Sequence, residues 1–145
     1  PPLRTEDDRI SLIKAINKDL IDVIVSDHKP EDEESKRLTF SQAATGASGI
    51  ETLLPLSLEL FHNGSVKLFK IIELLTSNPA KILKINKGNL SIGNDADFCI
   101  VDIYKPWIVK KEKIISKSKN TCIDDKKLQG LVTNTFVNGE ELFKI

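Results

Sequence analysis

The chain has 145 residues, 40% of them hydrophobic and 29% charged, and its 21 Lys+Arg balance 21 Asp+Glu to a formal net charge of zero. A chain of this length can bury roughly 70% of the surface its unfolded form exposes, and the even charge removes the basic excess expected of a nucleic-acid binder. No apolar run approaches the roughly 18 residues of a membrane span, and the amino end lacks an apolar stretch of signal-peptide length.

With only Cys99 and Cys122, in neither disulfide-scaffold nor zinc spacing, the chain reads as cytoplasmic. It opens on Pro1-Pro2 and contains no methionine, which reads as a processed product or a piece of something longer.

In chain order, Thr5-Glu6-Asp7-Asp8 resembles a capping box with Asp8 in place of Glu, opening a helix over 6–17 whose apolar edge is Ile10, Ile13 and Ile16. Residues 21–25, Ile-Asp-Val-Ile-Val, are β-branched and nearly all apolar, the pattern of a strand buried on both faces. Residues 31–49 form a long loop, charged as far as Arg37 and small around Gly46 and Gly49, of a length that is often functional.

Helices are expected over 50–62, 66–76 and 79–84, with Pro55 in the first turn of one, Ser65 capping the next, and Asn78-Pro79 starting the last. Beyond them the character turns to β. Residues 98–101 make a strand in which Cys99 is a small buried hydrophobe, and Ile108-Val109 begins another. Residues 130–143 fold back at Asn138-Gly139 as a hairpin with a type I′ turn. Trp107 packs this β region, and the lysines at 110, 111, 113, 117, 119, 126 and 127 lie on a solvated face among acids.

The sharpest chemical feature is Asp27-His28 at the carboxyl end of the 21–25 strand. Parallel α/β sheets and barrels build their active sites at that end of their strands. An Asp there can bind a divalent metal or take a proton from an attacking water, or else simply cap the loop beside an exposed His28. His62, in the helix-ending His-Asn-Gly, reads as a surface residue.

The run from Ile21 to Pro30 resembles the last barrel strand of the dihydroorotases, cyclic amidohydrolases of the amidohydrolase superfamily. Other segments agree in the family's order: Pro1-Pro2-Leu3-Arg4 with the turn after the seventh strand, 46–56 with the glycine loop and its helix, and Thr76-Ser77-Asn78-Pro79-Ala80-Lys81 with the helix ahead of the β-domain. Residues 90–97 resemble a return strand shared by many amidohydrolases, and Ser116-Lys117-Ser118-Lys119-Asn120-Thr121 is more particular to dihydroorotase.

The resemblance implies an α/β fold: the C-terminal part of a (β/α)8 amidohydrolase barrel over 1–84, then part of a small β-sandwich over 85–145. It implies a hydrolase with one or two zinc ions that interconverts carbamoyl-aspartate and dihydroorotate in pyrimidine biosynthesis, the metal polarising the amide carbonyl and lowering the pKa of the attacking water. Asp27 would be both metal ligand and general base. The backbone at Thr45 and Gly46 would hold the substrate carboxylate.

Glu31 stands where family members often carry a substrate-binding histidine, so its charge needs an offset, for which Lys29 is at hand. The family's substrate-binding Asn would fall just ahead of Pro1. Its His-x-His pair and middle-strand ligands have no counterpart here, and Asp27 with His28 cannot close a zinc site of three or four ligands. The chain by itself is therefore expected to show neither turnover nor stoichiometric zinc, its partner being the amino-terminal part or another subunit. The rival expectation is a non-catalytic remnant that docks to a partner.

Overall fold

The computed structural model describes residues 3–145; Pro1 and Pro2, with their share of the turn motif, lie outside the described residues. Helix α1 spans Glu6–Asn17 and starts as its sequence dictates. The Thr5 hydroxyl accepts from the Asp8 N–H and the Asp8 carboxylate accepts from the Thr5 N–H, so the capping box is closed in both directions. A one-turn helix α2 (Glu33–Lys36), capped by Asp32, interrupts the long loop; α3 (Leu53–His62), α4 (Leu68–Leu75) and α5 (Ser77–Leu83) follow.

The capping of the later helices differs from expectation. Lys67, not Ser65, precedes α4, and no side chain caps it. Asn78 lies within the first turn of α5, and its Nδ2 donates to the carbonyl of Asp22 at 3.1 Å. A residue of capping type has become a tether to the 21–25 segment.

That segment is not a strand. Among the described residues its only backbone tie is the Ile24 N–H to the Leu74 carbonyl, 3.1 Å away, and no other strand lies beside it. One side still packs: Ile21 and Ile24 rest on a core of Ile16, Val66, Ile71 and Leu74. The other is open, with Val25 71% exposed. The expectation of burial on both faces fails because that burial requires neighbours on both sides.

The β region is a three-stranded antiparallel sheet in the order β1 (Phe98–Ile108), β2 (Lys127–Val137), β3 (Glu140–Lys144). The two strands expected at 98–101 and 108–109 are one, β1, whose register slips between Asp102 and Pro106. The β2–β3 turn is type I′, Asn138 and Gly139 both having positive φ (52° and 81°).

Cys99 is exposed, contrary to expectation. The described residues place no second sheet over β1, and partial burial alone raises the Cys99 thiol pKa. Trp107 packs as expected against the Val109–Ile114–Leu128 cluster and donates from Nε1 to the Gly130 carbonyl at 3.0 Å. Lys110, Lys111 and Lys126 pair with Asp125, Asp124 and Glu59.

Helix α3 joins the two regions. Leu58 is fully buried, and a Cβ placed on Gly130 (φ 104°) would come within 2.4 Å of its Cδ1, so β2 passes over the helix where only glycine fits. His62, expected at the surface, is half-buried in a cluster with the rings of Phe61 and Tyr104, and its Nε2 is buried without a partner among the described residues. Among the described residues the chain is thus a helical region followed by a three-stranded antiparallel sheet.

Candidate active site

Asp27 ends the extended run. Its φ of 46° is left-handed, a conformation Asp tolerates better than most residues at a cost of about 1–2 kcal/mol. It turns the chain sharply and leaves the side chain exposed. No hydrogen bond or ion pair within the described residues engages its carboxylate.

The residues around Asp27 bind the glycine loop. The His28 ring is half-buried, and its Nδ1 accepts from the N–H groups of Gly49 (3.0 Å) and Ile50 (3.4 Å). Accepting at Nδ1 places the proton of the neutral ring on Nε2. The exposed reading of His28 is replaced by a buttressing role. One residue on, the Lys29 N–H donates to the Ala47 carbonyl at 3.0 Å.

The approach is close at both loop glycines and leaves no room for a side chain at Gly46. A Cβ on Gly46 would meet the Lys29 carbonyl oxygen at 2.5 Å, and one on Gly49 would meet the Ser26 carbonyl oxygen at 3.0 Å. Gly46 also has φ 134°, which L-residues rarely adopt.

The loop presents backbone donors. The N–H groups of Thr45, Gly46 and Ala47 have no hydrogen-bond partner among the described residues, and Thr45 is exposed. Consecutive unpaired amides are suited to an anion. Glu31 lies in a salt bridge with Lys29, Nζ to Oε1 3.2 Å, so the cation that could offset its charge does reach it.

A zinc ion takes four ligands, or three and a water. Among the described residues no group of three or more His, Cys, Asp or Glu side chains is placed to hold one. Asp27 fits as a single ligand. His28 does not fit through Nδ1, which is already occupied, and His62 lies in the aromatic packing of α3.

The sequence reading missed the second support of the loop, the segment crossing from β1 to β2. The Ser48 N–H donates to the Asn120 carbonyl at 2.7 Å, and Asn120 Nδ2 donates to the Gly46 carbonyl at 2.8 Å. Glu51 accepts from the N–H groups of Ile115 and Ser116 at 2.8 and 3.3 Å. Singling out 116–121 as a motif was the one signal that marked these residues.

The Amidohydrolase family matches residues 2–142. The chain belongs to this family. It is 42% identical over 144 residues to the dihydroorotase of Ehrlichia chaffeensis, covering 99% of this chain and 32% of that protein. To the dihydroorotase of Aquifex aeolicus it is 40% identical, covering 99% and 34%. Among solved structures it superposes on L-hydantoinase (dihydropyrimidinase) from Arthrobacter aurescens with TM-score 0.93 at 31% identity, over 99% of this chain and 33% of that one. The chain thus spans about one third of the length of its amidohydrolase relatives. No helix among the described residues is long and apolar enough to cross a membrane.

Proposed function

We propose that this chain forms the C-terminal part of a cytoplasmic, zinc-dependent dihydroorotase that reversibly cyclises N-carbamoyl-aspartate to dihydroorotate in pyrimidine biosynthesis. The observation that carries the reading is Asp27: a carboxylate free of partners among the described residues, at the end of an extended run, with the residues on both its sides packed against a loop of unpaired amides. The dihydroorotase relatives support the reaction class.

When bound, zinc would polarise the amide carbonyl and acidify the attacking water. Asp27 supplies one ligand and takes the proton from that water in hydrolysis, returning it in cyclisation. The amides at Thr45 and Gly46 hold the substrate carboxylate, and Lys29, paired with Glu31, offsets the charge that Glu31 brings near it. Residues 1–84 belong to the barrel and 85–145 to the β-sandwich. The remaining ligands come from the amino-terminal part of the barrel or from another subunit.

The test joins this chain to the remaining two thirds of a dihydroorotase relative and measures bound zinc and carbamoyl-aspartate cyclisation. The joined enzyme is expected to turn over, and Asp27→Asn to lower kcat by about 10³-fold, within the usual span of a lost acid–base group. Full activity of Asp27→Asn would remove the role given to Asp27. Turnover by the 145 residues alone would refute the need for outside ligands.

A further inference from the structure

We propose that Asn120 is a positioning residue for the substrate carboxylate, brought to the glycine loop from the β region; the proposal rests on the dihydroorotase reading above. Asn120 brackets the loop at two successive peptides. Its side-chain Nδ2 donates to the Gly46 carbonyl (2.8 Å), and its main-chain carbonyl accepts the Ser48 N–H (2.7 Å). Lys36 Nζ adds a second donor to the Gly46 carbonyl at 3.1 Å.

The consequence follows from peptide planarity. In a trans peptide the C=O and N–H point in opposite directions. Two donors on the Gly46 oxygen therefore turn the Ala47 N–H to the opposite side, where it has no partner among the described residues. Asn120 thereby fixes the peptide that follows Thr45 and Gly46, so that the Ala47 N–H stands free next to the two amides proposed to hold the anion.

Asn120 is itself held in place. Its N–H donates to Ser118 Oγ at 3.3 Å, and the same hydroxyl donates to the Glu31 carbonyl at 2.6 Å. The Ser118 carbonyl accepts from Ser48 Oγ at 2.9 Å. From the other side, His28 Nδ1 and the Lys29 N–H hold Ile50, Gly49 and Ala47. The loop is gripped from two sequence-distant segments, and the N–H groups of Thr45, Gly46 and Ala47 are left without partners among the described residues.

The experiment uses the joined enzyme and two cyclic amides differing by one carboxylate, dihydroorotate and dihydrouracil. Asn120→Ala is expected to raise KM for dihydroorotate about tenfold with kcat within about twofold, and to leave kcat/KM for dihydrouracil within about twofold. Equal losses on both substrates, or no loss on either, would overturn the positioning role. If Asn120→Ala does not fold, Ser118→Ala should show the same discrimination at about threefold, with Ser118→Thr restoring it; equal effects on the two substrates would overturn the role there too. Hydrogen exchange of the Ser48 amide stands apart from activity: acceleration of about tenfold in the variant supports the bracket, and unchanged protection overturns it. An unsubstituted joined enzyme inactive on dihydroorotate would instead refute the dihydroorotase reading, with the exchange result still deciding the bracket.

Discussion

Residues 21–25 and 98–101 are both short, mostly apolar runs, yet their backbones end up in different company. The first makes one backbone bond to a helix end and leaves Val25 open, while the second pairs with β2 along its length, with one register shift between Ile100 and Val101. Composition makes both extended; pairing depends on whether a neighbouring strand lies within reach. The helical region instead depends on the Ile16–Val66–Ile71–Leu74 core beneath its unpaired run, and the β region on a ladder closed by a tight turn.

Leu58, on the joint between these regions, offers the strongest way to break the contrast. Leu58→Ala should cost about 2–5 kcal/mol, the range for deleting a fully buried leucine side chain. Helical ellipticity and the fluorescence of Trp107, the lone tryptophan, should then be lost in one transition. Separate midpoints would show that the regions unfold independently.

Gly130→Ala probes the same joint from the β side. Its added methyl collides with Leu58, and overpacking typically costs about 1–3 kcal/mol, with the positive φ adding to it. In the double variant Leu58→Ala/Gly130→Ala the collision is relieved, so the combined loss in denaturant midpoint should fall short of the sum. Strict additivity would mean that β2 does not press on Leu58 at Gly130.

Asn78→Ala removes the tether to Asp22 and should cost about 1 kcal/mol, with faster hydrogen exchange at the Ile24 amide as the local sign. The smallest effect is a matter of pH. The Thr5 hydroxyl and N–H hold the Asp8 carboxyl below its usual value. The cap therefore contributes fully above the carboxyl's unfolded pKa and is lost as pH falls through the lower folded value. An NMR titration of Asp8 should show the depressed midpoint, and Thr5→Ala, which keeps the N–H, should raise it part of the way back.

Local grammar was legible in the sequence wherever a few adjacent residues suffice. The α1 capping box, the Asn138-Gly139 turn, the apolar faces of α3 and α4, and the glycines at 46 and 49 all belong to that class. The departures arise where a partner distant in sequence decides. Asn78 had a backbone carbonyl within reach and bonded it instead of capping. His62 met Tyr104 from the register slip in β1 and was drawn inward, and Cys99 sits in a strand that no second sheet covers among the described residues. Helix α2, four residues long with an Asp cap, is too short to show a periodicity.

The candidate site divides the same way. The sequence by itself determined that Asp27 ends an apolar run and that glycines stand at 46 and 49, because residue type and spacing suffice for both. Tertiary structure alone decided that His28 accepts the amides of Gly49 and Ile50 and that Asn120 holds Gly46 across 74 residues of sequence. Hydrogen bonds are short and directional, so they form only where folding brings donor and acceptor together. No periodicity along the chain records that meeting.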